Sequence, residues 1–201
     1  TNITLVANHI KPYRMEKIRC DWCIGDPLYE KYHDEEWGTP VYDDNKLFEF
    51  LILETFQAGL SWITVLRKRE NFRAAFDNFN YHKIANYNQD KIDELLQNAG
   101  IIRNKLKIKA TVTNAQAFIK IQKEFGSFSD YIWKFTDGKP IKNRFKTMKD
   151  IPANTTLSDT ISKDLKQRGF KFVGTTVIYA HMQATGMVND HVVDCFRYNE
   201  V

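Results

Sequence analysis

Between Leu47 and Leu53 the chain reads Leu-Phe-Glu-Phe-Leu-Ile-Leu, a run too continuously apolar to lie on a surface. A surface helix carries one apolar stripe, whereas a helix that is apolar nearly all round must be buried. The run therefore predicts a central buried helix with others packed about it. Beyond it Gly59 interrupts, Ser61 is a candidate N-cap, and Trp62, Val65, Leu66, Phe72 and Phe76 follow at near-helical spacing. Asn80 and Asn88 sit at expected turns. Asp90 is the expected cap of a helix bearing Ile92, Leu95 and Leu96, and Gly100 its expected end. Lys105 to Phe125 reads as one long amphipathic helix. Asp137 to Asn154 reads as a long loop holding Gly138, Pro140 and Pro152. Ser158 is expected to cap a helix through Leu165, and an apolar helix follows from Thr175 to Thr185, closed by Gly186. No segment reads as a convincing strand and no internal repeat is visible, so the expected fold class is all-α.

The 201 residues suit one domain over 15–201, built as two intimately packed helical lobes. Residues 1–14, before Met15, read as an unpatterned extension or expression remnant. An apolar share of 43% supports a core, and the 13% of aromatic residues could serve packing or stacking on flat bases. A net charge of +4 does not announce a nucleic-acid binder; it permits one if the basic residues gather on one face. No signal-peptide pattern is visible, and no apolar run approaches the roughly 20 residues of a membrane span. Three cysteines form an odd set, which argues against a disulfide scaffold and for a reducing compartment, the cytoplasm.

Cys20 and His33 lie near one end of the chain and His191 and Cys195 near the other. The second pair, one helical turn apart, would share a face if helical. Two thiolates and two imidazoles make a tetrahedral set suited to Zn²⁺, and four protein ligands leave no open position, so such a metal would be structural. Spacing alone leaves open a core cysteine beside a surface histidine. Cys20-Asp21-Trp22-Cys23 has the form of a redox motif but lacks a βαβ context, so Cys23 reads as a bystander thiol. His9, His82 and His181 are given no role at a site.

The segment from Leu165 to Thr176 has the build of a helix-hairpin-helix. Gly169 and Gly174 would let the backbone turn tightly and approach a phosphate, which the N–H groups opening the next helix would face. Lys163, Lys166, Arg168 and Lys171 surround it with positive charge. Such contacts position a duplex without reading its sequence. A glycine-bearing loop between two core helices is the alternative.

With Val188-Asn189-Asp190-His191, this block resembles the helix-hairpin-helix glycosylase superfamily, where a V-D-T-H-like turn carries a catalytic aspartate. Registered on His191, Asn189 takes the aspartate's place and Asp190 follows it. Thr176 falls near the position of the lysine that bifunctional members use. A closer resemblance, over about residues 16–198, is to the bacterial 3-methyladenine DNA glycosylase I family. It is carried by Arg19-Cys20-Asp21-Trp22, Asp26-Pro27-Leu28-Tyr29, Tyr32-His33-Asp34-Glu35-Glu36-Trp37-Gly38, the stretch from Gln57 to Leu66, Arg69-Glu70-Asn71, and the block from Arg168 to Thr176.

This resemblance implies a helix-hairpin-helix glycosylase fold whose ends are joined by one structural zinc per chain on Cys20, His33, His191 and Cys195. It implies a base pocket at Trp62, Tyr32, Tyr29, Trp22 and Trp37, with Glu54 as its catalytic carboxylate. The turn at Gln57, Gly59 and Leu60 would enter the gap left by a flipped nucleotide. Gly169, Lys171, Gly174 and Thr175 would hold the DNA backbone. For Glu54 the alternative is a wet edge of its helix; for the aromatics it is core packing, which is retained for Trp133. The implied activity is monofunctional hydrolysis of the N-glycosidic bond of 3-methyladenine in double-stranded DNA, the free base being released for base excision repair. The expected protein is a monomer in the bacterial cytoplasm, with no membrane partner. A zinc-stabilised DNA-binding module without catalysis is the rival, and a bifunctional glycosylase/lyase a second.

Overall fold

The structure, a computed structural model, describes residues 17–57 and 59–201. The extension expected over residues 1–14, with His9 and Met15, lies outside the described residues. Helix α1 (Pro27–Glu35) begins where Asp26 accepts hydrogen bonds from the amides of Leu28 and Tyr29 and proline takes the first helical position. The apolar run forms α2 (Asp44–Gln57), in which every residue from Leu47 to Phe56 except Glu49 is buried. Then follow α3 (Trp62–Arg67), α4 (Arg69–Ala75), α5 (Tyr81–Ile84) and α6 (Gln89–Gln97). The long α7 (Lys105–Phe125) has the bounds its amphipathic pattern predicts, and α8 (Phe128–Trp133) follows it. Helices α9 (Thr156–Gln167) and α10 (Thr175–Ala184) are joined by the hairpin segment and pack in contact. Around α2 pack α3, α7, α8 and α10, which explains why its flanks are apolar on every side.

Several helix ends differ from expectation, each because a better-placed side chain wins. Asn88, not Asp90, caps α6 by accepting from Lys91 N; Asp90 lies in the first turn, where its charge complements the helix dipole. The helix ends at Gln97, ahead of Gly100, and the Asn98 side chain accepts from the Gly100 amide. Thr155 caps α9, and Ser158 sits at the third helical position, completing a reciprocal capping box. Ser61 stands at the cap position of α3, but its hydroxyl bonds that of Thr64 instead of the backbone.

The expectation of no strand is corrected by a short parallel pair, β1 (Ile141–Lys142) with β2 (Val188–Asn189), in register Ile141 to Val188. Two-residue strands are too short to leave a period in the sequence. His191 and Cys195 are likewise not on a helix; a turn brings them together. His181 is buried in α10, its Nε2 3.1 Å from the Leu47 carbonyl oxygen, and burial lowers its pKa to about 4. Trp133 is a core residue whose indole donates to the Val41 carbonyl. No helix of the described residues is long and apolar enough to cross a membrane.

Candidate base pocket and metal centre

The buried α2 delivers Glu54 to a cleft of about 210 Å³ that α1, α3 and α10 also border. Tyr29 and Tyr32, one turn apart on α1, reach the same cleft. Trp22 closes one side, edge-on to Tyr29 at 4.6 Å between ring centroids and to Trp37 at 5.1 Å. Tyr32 lies 5.5 Å from Trp62. The structure thus brings together Glu54 and all five aromatics singled out in the sequence, with Gln57 at the same cleft.

Two polar atoms here have no protein partner. Glu54 is 3% exposed, and its Oε2 is buried without a hydrogen bond; the Trp62 Nε1 is in the same condition. Buried polar atoms in native proteins are almost always paired, because leaving one unmet costs about 1–3 kcal/mol. One acceptor and one donor left open at a single cleft are suited to a ligand that offers both a donor and an acceptor. Burial also pushes the Glu54 carboxyl up to about 8. The cleft is smaller than the roughly 300–1,000 Å³ of sites for drug-sized molecules, which suits one planar ring system.

Gly59 and Leu60 occupy the exposed turn that follows α2, where Leu60 N donates to the Gln57 carbonyl. The hairpin residues lie elsewhere. Gly169 has φ +96°, a conformation that favours glycine, and Lys171 is exposed. The main chain of Lys171 is clamped to α7: its amide donates to Asn114 Oδ1 at 2.8 Å, and its carbonyl accepts from Asn114 Nδ2 at 3.1 Å. Gly174 does not need glycine for its own conformation; it stands at the N-cap of α10 with φ −61°. Thr175 borders a separate surface depression with Lys163 and Lys166. Thr176 is exposed, and among the described residues no lysine lines the cleft.

Sequence reasoning missed four residues of the cleft: Met148, Ile151, Ala180 and Gln183. The first two sit in the loop between β1 and α9, where composition carries no pattern. Gln183 did leave a signal, as a polar residue within the largely apolar α10.

Behind the aromatic wall, Cys20, His33, His191 and Cys195 are all buried, with their donor atoms within 4.8 Å of one another. Cys195 Sγ lies 3.4 Å from His33 Nε2 and 3.5 Å from His191 Nδ1, and Cys20 Sγ lies 3.7 Å from His191 Nδ1. A tetrahedron with metal–sulfur bonds of about 2.3 Å and metal–nitrogen bonds of about 2.0–2.1 Å has N···S edges of about 3.6 Å. The donor set therefore fits a tetrahedral metal ion. The outer ring nitrogens are engaged as such a site requires: His33 Nδ1 meets Asp34 at 2.9 Å, and His191 Nε2 meets the Trp37 carbonyl at 3.0 Å. Asp34 is in turn held by both Nε and Nη2 of Arg19. Gly38 makes room for this packing, since a Cβ there would stand 2.9 Å from His191 Nε2. Cys23 is buried beside the group but bonds the Cys20 carbonyl, outside the donor set. Asn189 does not line the cleft; its amide donates to the carbonyls of Tyr198 and Val201 and secures the chain end.

Known proteins share the sequence and the fold over most of the chain. The chain is 51% identical over 180 residues to DNA-3-methyladenine glycosylase 1 of Escherichia coli, spanning 90% of this chain and 96% of that protein. It is 48% identical over 177 residues to DNA-3-methyladenine glycosylase of Haemophilus influenzae, spanning 88% of this chain and 96% of that protein. A crystal structure of 3-methyladenine DNA glycosylase I superposes with a TM-score of 0.87 at 51% identity, covering 89% of this chain and 98% of the other. The Staphylococcus aureus enzyme, whose structure addresses 3-methyladenine recognition, gives 0.86 at 38% identity over 89% and 95% of the two chains. The family profile for methyladenine glycosylases matches residues 22–198, and the chain belongs to that family.

Proposed function

We propose that this protein is a monofunctional DNA glycosylase that hydrolyses the N-glycosidic bond of 3-methyladenine in alkylated double-stranded DNA, opening base excision repair. The observation that carries this reading is the unpartnered Glu54 carboxyl in a cleft of aromatic rings. Adenine methylated at N3 is cationic while attached to deoxyribose, so it leaves as a neutral base without prior protonation. The main task is then to select the damaged base after it swings out of the stack. Trp62 and Tyr32 stack on it, each such contact being worth about 1–3 kcal/mol, and ring faces favour a cation over neutral adenine. Entry of a positive ring offsets the desolvation that raises the Glu54 pKa, so the carboxylate ionises against the lesion and favours its cationic form.

Gln57, Gly59 and Leu60 fill the vacated stack, while Gly169, Lys171, Gly174 and Thr175 hold the backbone phosphate at the start of α10. A lyase step needs an amine at the reacting sugar, and the lining of the cleft offers none among the described residues. Zinc is the metal that best suits two thiolates and two imidazoles in a closed site, where it would brace the chain ends and take no part in the reaction. One chain carries the whole cleft, so a monomer suffices. Three free cysteines suit the reducing bacterial cytoplasm. Incubation with methylated duplex DNA should release free 3-methyladenine, and Glu54→Gln should lower that release while duplex binding persists. DNA binding without base release by the wild type would instead favour a zinc-stabilised binding module.

A further inference from the structure

Asp190 is fully buried just beyond α10, and three donors converge on its carboxylate. Tyr179 Oη donates to Oδ2 at 2.6 Å, Gln183 Nε2 donates to Oδ2 at 2.8 Å, and Asn143 Nδ2 donates to Oδ1 at 2.7 Å. Asp190 does not itself line the cleft, but Gln183 does. The main chain of Gln183 is anchored separately, its carbonyl accepting from the Gly38 amide at 3.0 Å.

A glutamine amide has two ends of opposite character, a carbonyl that accepts and an amino group that donates. A carboxylate that takes three hydrogen bonds is an acceptor, so the amino end must turn towards it; the reverse orientation would set oxygen against oxygen. With Nε2 committed to Asp190, Oε1 is the end left to the cleft.

We infer that Asp190 is a positioning residue that holds Gln183 with its carbonyl towards the cleft, and that Gln183 thereby selects 6-amino purines over 6-oxo purines. This inference rests on the base-binding role proposed for the cleft. The cleft then carries two acceptors, Glu54 and Gln183, beside the indole donor of Trp62. An adenine-type base offers its exocyclic amine to the acceptors and a ring nitrogen to the donor. A guanine-type base sets a carbonyl oxygen where that amine stood, which repels an acceptor and leaves it unpaired. Sites built to bond a substrate group discriminate strongly against an analogue that lacks it.

The test is release of 3-methyladenine and of 3-methylguanine from the same methylated DNA, read as a ratio. Wild-type protein should favour the adenine lesion. Asp190→Asn lets Gln183 adopt either orientation and should lower the ratio by roughly tenfold. A purely structural loss would slow both releases equally, and an unmoved ratio overturns the inference. Gln183→Leu removes the acceptor without touching the other two donors to Asp190, so it decides the matter even where Asp190→Asn fails to fold; here too an unchanged ratio overturns it. A wild type that releases neither base refutes the glycosylase reading separately. Binding of free 3-methyladenine and 3-methylguanine, followed by tryptophan fluorescence, then decides the inference. Preference for the adenine base in wild type and its loss in Gln183→Leu support it, and equal binding of both by wild type overturns it.

Discussion

The carbonyl oxygen of Trp37 accepts a hydrogen bond from His191 Nε2 at 3.0 Å, and the Trp37 ring stands edge-on to the same imidazole at 4.6 Å. Trp37 borders the cleft and His191 belongs to the Cys–His cluster, so the segment that completes the candidate metal centre also braces the pocket wall. Trp22 repeats the connection from the other side, 5.4 Å from the His33 ring.

Loss of the metal should therefore loosen the pocket as well as the chain ends. Elemental analysis should find near one zinc per chain. Cys195→Ser or chelation should cost much of the folding free energy, since a closed zinc site contributes on the order of 10 kcal/mol. Tryptophan fluorescence should change in the same transition, because Trp22 and Trp37 adjoin the ligands. A metal-free wild type of equal stability would refute the clasp.

Glu54 makes a prediction about pH. Burial raises its carboxyl from 4.5 to about 8. The unfolded chain releases this proton above pH 4.5, whereas the folded protein keeps it until about pH 8. Its contribution to stability is thus fully present below 4.5 and is lost as pH rises to 8, by up to about 1.4 kcal/mol per pH unit. Glu54→Gln removes this dependence, so its stability relative to wild type should climb between pH 5 and pH 8 in urea denaturation. A constant difference across that window would count against a buried, protonated Glu54 in the free enzyme.

Arg69 of α4 ties together α2 and the residue that caps the end of α1. Its Nη1 bonds both oxygens of Glu36 at 2.9 Å, its Nε bonds Glu49 at 2.5 Å, and its ring-stacked guanidinium lies 5.1 Å from the Phe50 centroid. Arg69→Ala leaves Glu49 to Arg73 and Glu36 to Lys46 alone, and should cost about 1–3 kcal/mol by chemical denaturation. Arg69→Lys should recover only part of this, because a single ammonium cannot span both partners as the planar fork does.

At the hairpin, Lys171→Ala should weaken duplex binding uniformly across DNA sequences. If Lys171 meets one phosphate, the slope of log affinity against log salt should fall in magnitude by about 0.9, measured by fluorescence anisotropy over a salt series. Release of the base from DNA held at saturation should be unaffected. An unchanged salt slope would remove Lys171 from the DNA contact.

How much could be read from the chain alone depended on whether a signal was local. The run from Leu47 to Leu53 announced a buried helix because its apolar residues leave no face for water, and the period over Lys105 to Phe125 set the bounds of α7. Caps were less legible. Asn88 and Asp90, or Thr155 and Ser158, offer similar side chains within one turn, and only the path of the backbone chooses between them.

The residues of the cleft were legible through family motifs; by themselves, a carboxylate in an apolar helix and tyrosines and tryptophans near α1 and at Trp62 fitted a wet helix edge and core packing as well. What the sequence by itself determined was this set of chemical groups and the helices that carry them, since side-chain chemistry and helical period are properties of neighbouring residues. Only the tertiary structure decided that Cys20 and His33 meet His191 and Cys195 across the length of the chain, through a turn and not along a helix. It alone showed that Asn189 bonds the carbonyls of Tyr198 and Val201 while Asp190 accepts from Gln183, a residue of the cleft. Those contacts join segments far apart in sequence. They exist because burying α2 forces its neighbours into one packing, and no local pattern records which distant residues that packing places together.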